Sequence, residues 1–387
     1  MEKVLVAMSG GVDSCVTALL LREAGYQCIG VTMRMLCSPS AQKNAEDAAE
    51  VCRMLGVEHI TLDETELFSH SVIDRFVTSY EQGLTPNPCV FCNRDLKFGR
   101  LWQLAQELGC DYLATGHYAQ VVKDEEGQAH LYRGKNPLKD QSYVLWPVPQ
   151  RVLQHVLLPL GTMESKEQVR QLAQDHGFAT AFKSDSQDIC FIPEGDYVQF
   201  LKDYTNTTPE PGPIVDEFGQ TIGTHKGLIS YTLGQRKGVG VAAKRKIYVT
   251  GKDAQTNTLF VGANELLYVN QFTVAEANWI SGQVPDHPVQ ARVCATYQGH
   301  LFDALVEPLD ANHLRIRVEA PMRAVCPGQS CVGYVDDEVL FGGVIEPAER
   351  PLRTAMQDFL ALECQLDIVG DRDDSEDHDD HDEVSHV

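Results

Sequence analysis

VLVAMSGGVDS, residues 4–14, sets out a buried strand, a glycine turn and a helix start in immediate succession. Residues 4–8 form a continuous apolar run of the kind found in a parallel strand covered on both faces. Beyond the glycine pair, Val16, Leu19, Leu20 and Ala24 recur at helical spacing until Gly25 stops the helix. Two glycines let backbone approach a polyanion closely, a helix start offers free N–H groups at its positive dipole end, and the Ser9 and Ser14 hydroxyls can donate. SGGVDS is therefore expected to cradle phosphate, with Asp13 placed to hold a magnesium ion on it; the plain alternative is a glycine turn capped by Asp or Ser. The GxxxxGK[ST] pattern is absent from this loop, which argues against a Walker-type NTPase.

Outward from this loop the alternation continues. CIGVTM (28–33) reads as a strand, Ala45, Ala48, Ala49, Cys52 and Leu55 mark a helix, and VEHITL (57–62) is again a strand. LKFGRLWQLAQELG (96–109) follows as a helix, and DYLATGH (111–117) as a strand ending near Gly116. This pattern predicts a doubly wound α/β domain with a parallel sheet, binding ligands at the carboxyl ends of its strands. Near residue 204 the texture changes. PEPGPIVDEFGQTIG is rich in Pro and Gly, and KIYVTG and TLFVG alternate like short strands. VQARVCATY, HLRIRVE and QSCVGYV predict a small C-terminal β-barrel or sandwich. The expected divisions are 1–204 for the α/β domain, 205–270 for a central β module, 271–347 for the barrel, and 348–387 for an extension ending in an acidic tail.

Composition bounds the partners. The net charge of −23 argues against nonspecific nucleic-acid binding, which relies on Lys and Arg. The last stretch, DRDDSEDHDDHDEVSHV, has nine acids to one Arg and is expected to be disordered; without it the charge is −15. The segments around Arg236 to Lys246 and Tyr132 to Asp140 are the candidate basic patches. His378, His381 and His386 in the tail could bind metal or simply sit in a solubilising tract. No apolar run suits a signal peptide or a membrane span, so a cytoplasmic location without a membrane partner is expected. Twelve scattered cysteines do not resemble a secreted disulfide framework. Cys28, Cys52, Cys110, Cys294, Cys326, Cys331 and Cys364 read as small core residues, and Cys15 and Cys37 remain undecided.

Two further cysteines, Cys92 and Cys190, lie in polar, turn-rich segments, as a sulfur transferase would need. A persulfide is more acidic than a thiol and hence nucleophilic at neutral pH, and a second thiol can release its sulfur and leave a disulfide. Cys89 makes CVFC with Cys92, a spacing that suits a redox pair or metal ligands.

SGGVDS after a first strand resembles the pyrophosphate-binding loop of the N-type ATP pyrophosphatases. TPNPCVFCNRDLKFG (85–99), ATGHYA (114–119), KDQSYVLW (139–146), SDSQDICFI (184–192), GLISYTLGQRKGVG (227–240) and AVCPGQS (324–330) follow in an order similar to the tRNA-specific 2-thiouridylase family. The resemblance runs from about Lys3 to Glu346 and excludes the acidic tail. It implies a sulfurtransferase that adenylates the C2 oxygen of the wobble uridine, position 34 of tRNA, and displaces AMP with sulfur. ATP with magnesium would be bound through Ala7, Met8, Ser9, Gly10, Gly11, Val12, Asp13 and Ser14, with Met33 and Gly116 flanking the adenosine. Cys190 would carry the persulfide and Cys92 would be the nucleophile. Asn87, Pro88 and Cys89 would border the target base, and His117, Lys139, Asp140, Gln141, Thr296, Tyr297 and Gln329 would contact tRNA. The implied partners are a tRNA anticodon stem-loop and a persulfide donor such as a cysteine desulfurase or sulfur relay protein. Two departures stand out. Where the family often has Asp, this chain has Cys89, so an iron–sulfur cluster on Cys89, Cys92 and Cys190 becomes an alternative to the persulfide; where Arg-Tyr is common, it has Thr296-Tyr297. An adenylate-forming ligase, or a tRNA- or metal-binding module with a vestigial nucleotide site, are the rival readings of the same loop.

Overall fold

The computed structural model describes residues 1–183, 189–192, 195–242 and 245–348. Its first layer is the parallel sheet expected from the opening sequence. β1 (Lys3–Ala7), β2 (Gln27–Arg34), β3 (Glu58–Asp63), β4 (Tyr112–Ala114) and a short β7 (Val156–Leu157) line up in the order β3-β2-β1-β4-β7, all parallel. Val4, Leu5 and Val6 are fully buried because helices cover both faces of the strand, which explains why the run lacks polar alternation. Helix α1 (Val12–Glu23) and α2 (Pro39–Leu55) pack on one face; Val16, Leu19, Ala48, Val51 and Cys52 join Val4 and Val6 in one core. Gly56, with φ +66°, ends α2 in the left-handed conformation.

The segment 96–109, expected as one helix, is wound in two ways. Cys92–Arg100 is π-helical and Leu101–Glu107 α-helical. Both windings give an amphipathic face, so apolar spacing alone does not separate them. Leu96, Phe98, Leu101 and Leu104 are buried as that spacing implies.

A hairpin that the strand–helix alternation does not announce follows β4. Its strands β5 (Ala119–Lys123) and β6 (Ala129–Arg133) leave the parallel sheet and join the C-terminal one. The central module is a four-stranded sheet of β8 (Gly212–Val215), β9 (Thr221–His225), β10 (Tyr248–Asp253) and β11 (Thr258–Gly262), ordered β10-β11-β8-β9 around a small core that includes Ile214, Val249, Leu259 and Val261.

The C-terminal unit is a closed barrel. Its strands are β12 (Tyr268–Trp279), β13 (Val289–Cys294), β14 (Phe302–Pro308), β15 (Leu314–Arg323), β16 (Ser330–Val335) and β17 (Glu338–Ile345). They pair in the order β12-β15-β14-β13-β16-β17, and β12 pairs back with β17 to close the ring. Alternating inward residues such as Leu314, Ile316 and Val318 fill its interior. β17 is shared. Glu338 and Val339 pair with Tyr132 and Leu131 of the hairpin, while Phe341 to Ile345 pair with β12. The Trp146 indole N–H donates to Ser330 Oγ at 3.0 Å and the Tyr143 hydroxyl to the Ser330 carbonyl at 2.7 Å, so the α/β domain and the barrel share buried hydrogen bonds as well as core. No helix of the described residues is long and apolar enough to cross a membrane.

Candidate active site

The loop Ser9–Ser14 stands where β1 gives way to α1. Ser14 Oγ accepts from the Ser9 backbone N–H at 3.1 Å and donates to the Gly11 carbonyl at 3.0 Å, closing the loop on itself. Gly10 has φ +73°, and a Cβ there would lie 2.2 Å from the Asn44 carbonyl oxygen, so only glycine fits. Gly11 is the N-cap of α1 and supplies no side-chain cap, leaving the first N–H groups of the helix for an anion. A Cβ on Gly116, just after β4, would sit 3.0 Å from the Ser14 backbone nitrogen. Met33 lies at the carboxyl end of β2 and Gly116 beyond β4, the strands that flank β1.

Two lysines outside the recognised motifs, and Tyr118 within ATGHYA, complete this pocket. Lys166 Nζ bonds both Asp13 carboxylate oxygens, at 2.6 and 2.7 Å, and the Tyr118 hydroxyl donates to Asp13 Oδ1 at 2.6 Å. Lys183 Nζ donates to the Gly10 carbonyl at 2.8 Å and pairs with Asp47 at 2.5 Å. Sequence reasoning could not find them, since Lys166 lies 153 residues from Asp13 and Lys183 lies 173 from Gly10. Asp13, the expected magnesium ligand, is paired with a lysine that is itself buried.

The cysteines occupy the neighbouring wall. Asn87 caps the short helix Pro88–Phe91: its side-chain oxygen accepts from the Cys89 N–H at 3.1 Å. That bond fixes the amide orientation and leaves its Nδ2 buried with no hydrogen-bond partner among the described residues. Cys92 opens the π-helix and is buried beside Phe191 and Ile192, the residues following Cys190, in a cluster that also receives Met33. Cys190 is exposed and Cys89 half-buried. The three thiols are close enough to perturb one another. Burial pushes Cys92 up to about 12, with Cys190 and Cys89 adding to the rise; desolvation also raises Cys190, helped by Cys89. Every described cysteine is a free thiol. Among the described residues no group of three His, Cys, Asp or Glu side chains is arranged to hold a metal ion, so the trio Cys89, Cys92 and Cys190 does not fit a cluster as it stands.

Of the other cysteines, Cys15, Cys28, Cys52, Cys110, Cys294, Cys326 and Cys331 are buried and Cys37 is exposed. Cys364 and the tail histidines lie outside the described residues.

The expected tRNA-contacting residues divide by what their side chains already do. Asp140 is buried and accepts from the Gly134 and Ser142 backbone N–H groups, the Ser142 hydroxyl and Arg133, which fixes the loop after β6. Gln141 accepts from the Tyr118 N–H, Tyr297 donates to the Asp140 carbonyl, and Gln329 donates to the Thr85 carbonyl, tying the barrel to the segment before Asn87. His117 bonds Thr115 and is held neutral by burial. Lys139 is half-buried and Thr296 exposed.

Such an arrangement can activate an oxygen with ATP at one wall and deliver a thiol-borne group from the other. Residues 2–194 match a family model described as a tRNA methyl transferase HUP domain, 198–263 one described as a tRNA methyl transferase PRC-barrel domain, and 269–345 one described as an aminomethyltransferase beta-barrel domain. Over 354 residues the chain is 43% identical to a protein of Magnetococcus marinus named tRNA-specific 2-thiouridylase, covering 89% of this chain and 99% of that one. It is 40% identical over 361 residues to one of the same name from Caldanaerobacter subterraneus, covering 90% and 99%. For the Clostridium perfringens protein of that name the figures are 38% over 358 residues, covering 89% and 98%.

Proposed function

The chain belongs to the tRNA-specific 2-thiouridylase family, and from that premise we propose that it is an ATP-dependent sulfurtransferase acting on C2 of the wobble uridine of tRNA. The observation that carries this reading is a phosphate loop at the carboxyl end of β1 beside a thiol pair whose core cluster receives Met33 from the carboxyl end of the neighbouring β2. A carbonyl oxygen is a poor leaving group. ATP converts it to an adenylate with release of pyrophosphate, and the open N–H groups of α1 with Lys183 and Lys166 receive the phosphates.

The terminal sulfur of a persulfide on Cys190, the exposed thiol, attacks C2 and expels AMP. The Cys92 thiolate then attacks the Cys190 sulfur; the C2 sulfur departs with the bond electrons as 2-thiouridine, and a Cys92–Cys190 disulfide remains. An external thiol reductant supplies two electrons to reset it. No step passes through an iron–sulfur cluster. Asn87, Pro88 and Cys89 border the uridine, and the unpaired Nδ2 of Asn87 is a donor suited to a carbonyl edge. Lys139 and Thr296 face tRNA, whereas His117, Asp140, Gln141, Tyr297 and Gln329 shape the surfaces that present them. The uridine must be unstacked to expose its C2 oxygen, as in an anticodon loop. A cytoplasmic site of action and a persulfide-donating partner follow from this chemistry.

Nucleoside mass spectrometry tests the reading. Thiolation-deficient tRNA is incubated with anaerobically purified protein, ATP, magnesium and a persulfide donor, beside the Cys190→Ser and Cys92→Ser variants. 2-Thiouridine should form only with ATP and both cysteines. Pyrophosphate release with unthiolated tRNA would instead point to an adenylating ligase, which needs no thiol pair.

A further inference from the structure

The sulfur chemistry above asks two neighbouring thiols, Cys92 and Cys190, to carry negative charge, and burial opposes that. Cys92–Arg100 is π-helical, a winding rarely sustained beyond one turn and frequent at functional sites. In an α-helix a residue five positions on would stand roughly 140° round the axis. The wider turn of a π-helix, set by i→i+5 bonding, swings it back toward the first, so Lys97 shares the face of Cys92.

The helix has three basic residues, and two are already paired. Arg94 bonds Asp95 at 2.7 Å and Glu276 at 2.8 Å, and Arg100 bonds Glu64 at 2.7 Å. Lys97 is half-buried and makes no hydrogen bond or ion pair with the described residues. A partly desolvated ammonium without a counter-charge is unfavourable unless an anion visits it. Other charged or titratable groups act on these thiols too. Burial is the main force raising all three; Cys190, Cys89 and Asp95 raise Cys92 further and Cys89 raises Cys190, while Lys97 lowers Cys89, Cys92 and Cys190 alike. His117, also within its reach, is neutral and supplies no competing charge.

We propose that Lys97 is the positioning charge of the sulfur site, brought onto the cysteine face by the π-helical winding to stabilise the thiolate and persulfide anions. This rests on the reading that Cys92 and Cys190 carry the sulfur, but its test does not require thiolation.

The rate of iodoacetamide alkylation of the reduced, full-length chain, without ATP or tRNA, is measured at each cysteine by peptide mass spectrometry as pH is raised. The exposed Cys37 serves as an internal reference. Lys97→Met should slow Cys190 about tenfold at a fixed pH below its thiol pKa, the thiolate fraction lost when a pKa rises by about one. Lys97→Arg should restore the rate to within about twofold, and Cys37 should not change. Lys97→Gln serves in place of the Met variant if that chain does not fold. An unchanged Cys190 profile in the Met or Gln variant overturns the proposal, and does so equally if tRNA affinity falls, since Lys97 would then be a phosphate contact. If the profile shifts but wild-type protein never thiolates tRNA, the charge assignment stands and the proposed substrate is wrong.

Discussion

Glu276 of the barrel accepts a 2.8 Å hydrogen bond from Arg94, two residues past Cys92, while holding a left-handed backbone with φ +51°. It sits at the irregularity in the β12–β17 pairing between Ala275 and Asn278, and it also pairs with Arg75, whose guanidinium lies 3.8 Å over the Phe91 ring. A strained barrel residue thus grips two arginines of the cysteine wall. The cluster is half exposed, so its worth is modest: Glu276→Ala is expected to cost about 1 kcal/mol of stability. Glu276→Gly, which loses the same carboxylate but relieves the backbone, should recover roughly 1 kcal/mol of strain. Urea unfolding of both variants checks this, and equal destabilisation would mean that the backbone stores no strain.

Lys166 offers a second test. It is bound to Asp13 beside the phosphate loop, and an incoming triphosphate would compete for the same ammonium. Lys166→Met should weaken ATP binding about tenfold or more, by the roughly 1.5–3 kcal/mol of a charged hydrogen bond. Isothermal titration with ATP and magnesium reads this directly. Asp13→Asn should weaken binding less, because it keeps the ammonium and removes the carboxylate that competes for it, so binding that falls equally in both variants would indicate that the pair acts only as a structural unit.

At Gly10 the expectation is sharper, since an added Cβ meets backbone rather than a movable side chain. Gly10→Ala must bear the left-handed penalty of about 1–2 kcal/mol together with the clash against Asn44. Pyrophosphate release should be lost while circular dichroism still shows a folded chain.

His130 makes the tie between hairpin and barrel pH-dependent. Its ring bonds Glu338 at 2.6 Å and Asp124 at 3.3 Å, and the hydrogen bond to Glu338, opposed by burial and aided by Asp124, raises its pKa above the ordinary value. A raised histidine contributes stability fully below the unfolded pKa, about 6.5, and loses it as pH rises through the folded value. Hydrogen exchange at β6 should therefore quicken from pH 6 to pH 8 beyond the intrinsic rate increase. His130→Gln should remove that excess.

Much of this was legible before any coordinates because the informative segments are contiguous. VLVAMSGGVDS carries strand, turn and helix start within one span, and each falls where β1, the loop and α1 are found. Contacts between distant positions were not legible. Nothing near Lys166 or Tyr118 marks them as partners of Asp13. The segment 96–109 hides its change of winding because π- and α-helices both present an apolar face, and the hairpin of β5 and β6 breaks the strand–helix alternation to pair with β17, more than two hundred residues away. Asp140 and Gln141 likewise look like surface polar residues until their bonds to Gly134, Ser142 and Tyr118 appear.

The loan of that hairpin to the barrel sets a clock on synthesis. His130 meets Glu338 across 208 residues of chain, so at ribosomal speeds of about 5–20 residues per second the outer edge of β6 waits roughly 10–40 s for its partner. Through that interval a nascent chain carries a bare strand edge, open to pairing with neighbours on the same polysome. Chaperone demand and yield on overexpression should then track the delay between residues 133 and 338 more closely than the stability of the finished fold.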